Sequence, residues 1–168
     1  ASLDFPPYIY IKNAKITELP TIEQPSIGFP GFLRNGPRQP GLKMDDCLDD
    51  LTKEANRVIR ERTKKDQPFF LYFPMPSPHT PIAPGGKFNG ITGISEYADF
   101  LVETDWAVGE IVKALDETGQ ADNTVVITGG GEWPIPDAAY ELVEVFAWYE
   151  NDVEISSAGN SSVLASSY

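Results

Sequence analysis

Sulfur, histidine and positive charge are all scarce in this chain. A single cysteine, Cys47, excludes an intrachain disulfide. A single histidine, His79, excludes the paired His and Asp clusters that two-metal phosphatases and phosphonate hydrolases need. Thirteen basic residues against 25 acidic ones leave a net charge of −12, which repels phosphate backbones and anionic lipid, so neither nucleic acid nor a membrane surface is expected as a partner. No apolar run approaches the roughly 20 residues that cross a bilayer. An initiator Met and a basic segment followed by an apolar one are also missing, so no signal peptide is visible and the chain reads as a fragment. What remains is ordinary: 168 residues, 41% hydrophobic and 23% charged, enough for a packed domain.

The most informative stretch present is Pro68 to Pro84, which holds His79. Phe69-Phe70-Leu71-Tyr72-Phe73 has the unbroken apolar character of a strand covered on both faces. Pro74, Pro76, Pro78, Pro81 and Pro84 then fix φ and remove donors, which stops the strand and stiffens the loop. An imidazole on a rigid loop after the C-terminal end of a strand stands where open α/β sheets bind ligands.

Around it the pattern predicts two short strands over residues 8–19, with Asn13 in a left-handed turn, and then an irregular loop over residues 20–41. A helix is expected from Asp46 or Asp49 to Lys64, its acidic side chains first and its basic ones last. A second helix runs from Ser95 as N-cap to Glu117, with Gly119 as C-cap, and a β-branched strand follows over Thr124 to Thr128. This order predicts an α/β fold, a fragment of a mostly parallel sheet flanked by helices. Beyond Gly129-Gly130-Gly131 the character changes. A helix is expected over Asp137 to Tyr149, and the Ser-rich tail 156–168 reads as disordered.

Pro76-Ser77-Pro78-His79-Thr80-Pro81-Ile82-Ala83-Pro84 closely resembles a segment of the arylsulfatase-type sulfatases, members of the alkaline-phosphatase-like superfamily. The resemblance continues through Tyr97-Ala98-Asp99-Phe100, Glu103-Thr104-Asp105-Trp106-Ala107-Val108-Gly109 and Ala121 to Thr128, and more loosely at Ala1 to Tyr8. It divides the chain into a partial catalytic domain, residues 1–128, and a divergent segment, residues 129–168. By resemblance the activity is sulfuric ester hydrolysis on a sulfated small molecule or glycan, the compartment periplasmic or secreted, and the missing remainder of such a chain a conceivable partner.

That chemistry, as the resemblance implies it, uses a formylglycine made from Cys in a Cys-x-Pro-x-Arg context, a calcium ion on Asp and Asn oxygens, and basic side chains on the sulfate. The resemblance gives His79 the contact to the sulfate or leaving oxygen. Cys47 is followed by Leu48-Asp49-Asp50, without the proline or arginine, so formylglycine is not expected there. Its acidic neighbours disfavour a thiolate. Where the family reads Ser-Asp-Asn-Gly after a strand, this chain reads Gly129-Gly130-Gly131-Glu132, and glycine cannot supply a carboxylate. Glu132 is a poor substitute by position, so no metal ligand is assigned and calcium binding by this chain is not expected.

Ser77 and Thr80 are expected to cap loop backbone, and Asp4, Glu103 and Asp105 to be solvated or capping. Trp106 belongs to an apolar stripe. Neither Gly85-Gly86-Lys87 nor the later glycine run has the spacing of a phosphate or dinucleotide loop. The expectation is a sulfatase-family chain without turnover of its own. The alternative is a degenerate remnant or binding module that keeps the fold.

Overall fold

The computed structural model describes residues 3–29, 31–65, 67–129 and 144–148. The chain divides into two compact units, Ala1–Asp50 with Pro76–Thr104, and Leu51–Met75 with Asp105–Tyr168.

In the first unit, β1 (Ile11–Lys12) and β2 (Lys15–Ile16) form the expected hairpin. Both turn residues, Asn13 at φ 50° and Ala14 at φ 61°, take the positive φ of a type I′ turn. The region read as irregular loop carries a second hairpin, β3 (Ile22–Gln24) against β4 (Gly36–Arg38). Its strands are three residues each and rich in polar and proline positions, too short to leave a periodic signature. Tyr8 joins this layer: its N–H donates to the Pro37 carbonyl at 2.8 Å, and the Gln39 N–H donates to the Tyr8 carbonyl at 2.9 Å. Tyr8, Leu33, Leu42 and Cys47 form a buried cluster with Leu3, Tyr10 and Met44 against it.

The helix α1 (Cys47–Arg62) follows a short 3₁₀ turn at Met44–Asp46. Asp49 and Asp50 stand in its first turn and Arg60 and Arg62 in its last, as the helix dipole favours. The helix α2 (Glu96–Glu117) is capped as predicted: the Ala98 N–H donates to Ser95 Oγ at 3.2 Å. At the other end Gly119 has φ 68° and the Gln120 N–H reaches the Leu115 carbonyl at 2.9 Å, a left-handed C-cap. In the second unit Ala55 and Ile59 of α1 and Ala107, Ile111, Ala114 and Leu115 of α2 are buried. Arg60 and Glu117 form an ion pair at 2.7 Å there.

The sheet of the second unit departs from expectation. Strands β5 (Phe70–Pro74) and β6 (Val125–Gly129) are both antiparallel to β7 (Glu144–Trp148), which lies between them. They therefore run in the same direction, but among the described residues no two neighbouring strands are parallel. The stretch Glu-Val-Phe-Ala-Trp, expected in a helix over Asp137 to Tyr149, forms this central strand. Its β-branched and aromatic content suits a strand with a ladder on each edge, and long-range pairing overrides local helix propensity. The strand also falls in the segment assigned above to a divergent C-terminal part. Neither is β5 covered on both faces: Phe73 is buried, whereas Phe70 is 57% and Tyr72 48% exposed. Pro74 is accommodated as the last residue of an edge strand. The tail 156–168 lies outside the described residues.

Candidate functional site

In register, Pro74 and Gly129 both stand opposite Glu144, so β5 and β6 end at one edge of their sheet. The chain leaving β5 is the His79 loop. Met75, Pro76, Ser77 and Pro78 are buried, as are Pro81, Ile82, Pro84 and Gly85. His79 is exposed between them. The loop thus packs its proline and aliphatic residues inward and presents its imidazole outward.

One hydrogen bond orients that ring: Nδ1 lies 2.8 Å from the Thr80 carbonyl oxygen. A carbonyl only accepts, so Nδ1 carries the proton and Nε2 is the nitrogen available to a ligand. Thr80 Oγ1 lies 3.3 Å from the same Nδ1. Thr80 therefore orients the ring with its carbonyl rather than capping the loop. Ser77 is fully buried, and its hydroxyl has no hydrogen-bond partner among the described residues. Ser77 is not paired with a base, and the ring nitrogen beside Thr80 Oγ1 is the protonated one.

Two carboxylates on the first half of α2 hold the loop. Glu103 is fully buried, and its Oε2 accepts the Gly85 N–H at 2.7 Å. A Cβ at Gly85 would come within 2.9 Å of Glu103 Oε1 and 3.1 Å of the Asp45 carbonyl oxygen, so this approach requires glycine. Burial, the largest influence, raises the Glu103 pKa; the Gly85 N–H and Lys87 oppose it, while Asp49 and Asp45 add to it. One turn earlier, Asp99 accepts the Gly90 N–H at 2.7 Å, the Thr92 N–H at 2.9 Å and the Thr92 hydroxyl at 2.6 Å. Those bonds to Thr92, hydroxyl first, hold its pKa below the usual carboxylate value.

This corrects the reading of Glu103 as solvated or capping. Its spacing from Asp99, four residues on one helix face, is the signal that could have paired them. Asp4, also read as solvated, is 4% exposed and ion-paired with Arg34. Asp105 is exposed, as expected, and Trp106 is half-buried.

Cys47 is 1% exposed, more deeply enclosed than a partly buried or surface thiol. Its thiol donates to the Lys43 carbonyl at 3.2 Å, and the Tyr10 hydroxyl donates to Sγ at 3.4 Å. Burial pushes its pKa up to about 11, opposed by the Tyr10 hydrogen bond and reinforced by Asp50, Asp46 and Asp45. In sequence Cys47 is followed by Leu48-Asp49-Asp50, without the proline and arginine of the Cys-x-Pro-x-Arg context. Nor do the described residues fit a calcium centre, because no group of three or more His, Cys, Asp or Glu among them could hold a metal ion. Gly129 ends β6, while Gly130, Gly131 and Glu132 lie outside the described residues.

The family whose model this chain matches implies an alkaline-phosphatase-like α/β fold. The model of the Sulfatase family matches residues 14–154, and the chain belongs to that family. It is 33% identical over 99 residues to an N-acetylgalactosamine-6-O-sulfatase of Bacteroides thetaiotaomicron, covering 59% of this chain and 19% of that protein. Human arylsulfatase H is 36% identical over 107 residues, 62% of this chain and 19% of its own length. For human arylsulfatase A the identity is 33% over 73 residues, with coverage of 44% and 14%. The chain thus spans about a fifth or less of the curated relatives it matches. The family uses calcium and formylglycine, and no helix among the described residues is long and apolar enough to cross a membrane.

Proposed function

We propose that this chain is a portion of a sulfuric ester hydrolase of the arylsulfatase type, a partial catalytic domain over residues 1–128, and that His79 is its contact to a sulfate ester. The observation that carries the reading is His79 itself, the exposed residue in a buried loop, with its tautomer set by the Thr80 carbonyl. With Nδ1 donating to that carbonyl, a protonated ring offers Nε2–H to a sulfate oxygen or to the oxygen that departs with the alcohol. The remaining loop residues contribute rigidity, and Glu103 and Asp99 fix the loop's far side. The ligand proposed is a sulfated small molecule or glycan.

On its own the chain is inactive on this reading, because Cys47 is a buried thiol outside the modification motif and no cation site is assembled among the described residues. The same observations favour, as the second reading, a non-catalytic binding module that keeps the fold; neither reading expects this chain to hold calcium, so a calcium-binding heat in calorimetry counts against both. Incubation with 4-nitrophenyl sulfate, with and without calcium, tests the first reading. No release of nitrophenol above buffer is expected. Calcium-dependent release that His79→Ala abolishes overturns it.

A further inference from the structure

The second unit holds a cavity of about 280 Å³ with a predominantly polar wall. Arg62, Lys64, Lys65 and Gln67 line it from the end of α1 and the turn that follows, Phe69 from the residue before β5, and Gln120 from beyond the C-cap of α2. It therefore lies at the start of β5, whereas the His79 loop leaves that strand's other end. Backbone bonds fix both walls. The Lys65 N–H donates to the Arg62 carbonyl at 2.9 Å and the Gln67 N–H to the Lys65 carbonyl at 2.8 Å, while the Gln120 N–H is held by Leu115. The sulfate chemistry proposed above uses none of these residues.

Charge sets this pocket apart. The chain has 25 acidic residues for 13 basic ones, so a basic side chain readily finds a carboxylate. Arg34, Lys43, Arg57, Arg60 and Lys113 each do. Arg62, Lys64 and Lys65 stand together at one cavity and form no ion pair among the described residues. Glu61 attracts Lys64 weakly, but its own partner is Arg57 at 2.6 Å. Asp66 lies outside the described residues; with its charge counted, residues 62–67 still carry three positive charges against one negative. The carbonyl ends of α1 and α2 each subtract about half an elementary charge, which leaves the pocket positive. We infer that it binds a small tetrahedral oxyanion carrying two negative charges: inorganic phosphate or sulfate, or the phosphate of a small monoester. The Arg62 guanidinium offers paired N–H donors to such an anion, the two lysines offer point charges, and the Gln67 and Gln120 amides offer further donors. Half-buried Phe69 gives the organic part of a monoester an apolar surface. The volume stands near the lower end of small-molecule pockets, which begin at about 300 Å³, so it suits one anionic group with a small body attached. A nucleic acid or a lipid surface needs a wider positive field, which a net charge of −12 denies.

The test is titration of the chain with inorganic phosphate, inorganic sulfate and glucose 6-phosphate at about pH 8, where a phosphate monoester carries close to two charges, each compared with sodium chloride at equal ionic strength. Backbone amides of Lys64, Lys65 and Gln67, side-chain amides of Gln67 and Gln120, and the Arg62 Nε–H are followed together by ¹H–¹⁵N spectra. Saturable shifts of these groups are expected, half complete at about 1 mM or below. Replacing Lys64 and Lys65 together, Lys64→Gln with Lys65→Gln, is expected to weaken binding at least about tenfold, as loss of a charge-assisted hydrogen bond does. Both side chains are exposed, so the fold tolerates the change. His79→Ala is expected to leave the affinity unchanged, which separates this site from the sulfate contact proposed above. Tighter binding of glucose 6-phosphate than of inorganic phosphate makes the ligand a monoester, and equal or weaker binding makes it the free anion; either supports the site. Shifts no larger than those with chloride, or an affinity unaltered by the double replacement, overturn it.

Discussion

Glu103 is the residue whose replacement tests most stringently how the His79 loop is held. Its buried carboxylate accepts the Gly85 N–H at 2.7 Å through Oε2, while Oε1 has no hydrogen-bond partner. Glu103→Ala leaves the buried Gly85 N–H unsatisfied, at a cost of about 1–3 kcal/mol, and opens space where the side chain was. Glu103→Gln keeps an acceptor for Gly85 and removes the charge that burial disfavours. It is therefore expected to lie within about 0.5 kcal/mol of the unaltered chain, or above it.

The pH dependence adds a second arm. Burial raises the Glu103 pKa from its ordinary 4.5, against the Gly85 N–H and Lys87 and together with Asp49 and Asp45. Between the unfolded and folded values the native state binds more protons, so stability is greatest below about pH 4.5 for this group and declines as pH rises through the window. Every tenfold difference in proton affinity between the folded and unfolded chain corresponds to about 1.4 kcal/mol. Urea denaturation of the three chains at a series of pH values measures both effects. The reasoning fails if Gln costs as much as Ala, or if the decline with rising pH persists unchanged in Glu103→Gln.

Two further perturbations probe other named groups. Cys47, with its pKa pushed up to about 11 and almost no exposure, is expected to resist iodoacetamide in the folded chain and to react once urea unfolds it; rapid alkylation of the native protein contradicts its burial. Asp99 has its pKa depressed below 3.8 by Thr92 and Gly90, so its contribution is complete above that value and is lost as pH falls through the lower one. Asp99→Asn is expected to remove that acid limb and to speed amide exchange at Gly90 and Thr92, and unchanged exchange at both contradicts the bonds drawn to them.

Much of the secondary structure was legible because its signals are local. Ser95 and Gly119 mark the ends of α2 through capping chemistry that needs no tertiary partner, and Asn13 marks the β1–β2 turn through its tolerance of positive φ. The sheet order was not legible. β7 joins β5 and β6 by pairing across many residues of chain, and nothing in Glu144 to Trp148 alone announces which edges it will bridge. The candidate site divides the same way. His79 could be found because prolines on both sides isolate it, whereas Asp99 and Glu103 look like ordinary acidic helix residues until the fold buries them against Gly85, Gly90 and Thr92. Acidic side chains are mostly solvated, so burial of these two depends on backbone donors that only the folded loop presents.

The central claim is that the imidazole of His79 meets a sulfate group. As the chain has no other histidine, its ¹H–¹⁵N imidazole spectrum reports that ring alone. Titration with inorganic sulfate is expected to give a saturable shift at Nε2, with Nδ1 keeping its proton bonded to the Thr80 carbonyl. Imidazole signals that stay fixed to saturating sulfate, or that drift in proportion to ionic strength and equally with chloride, contradict it.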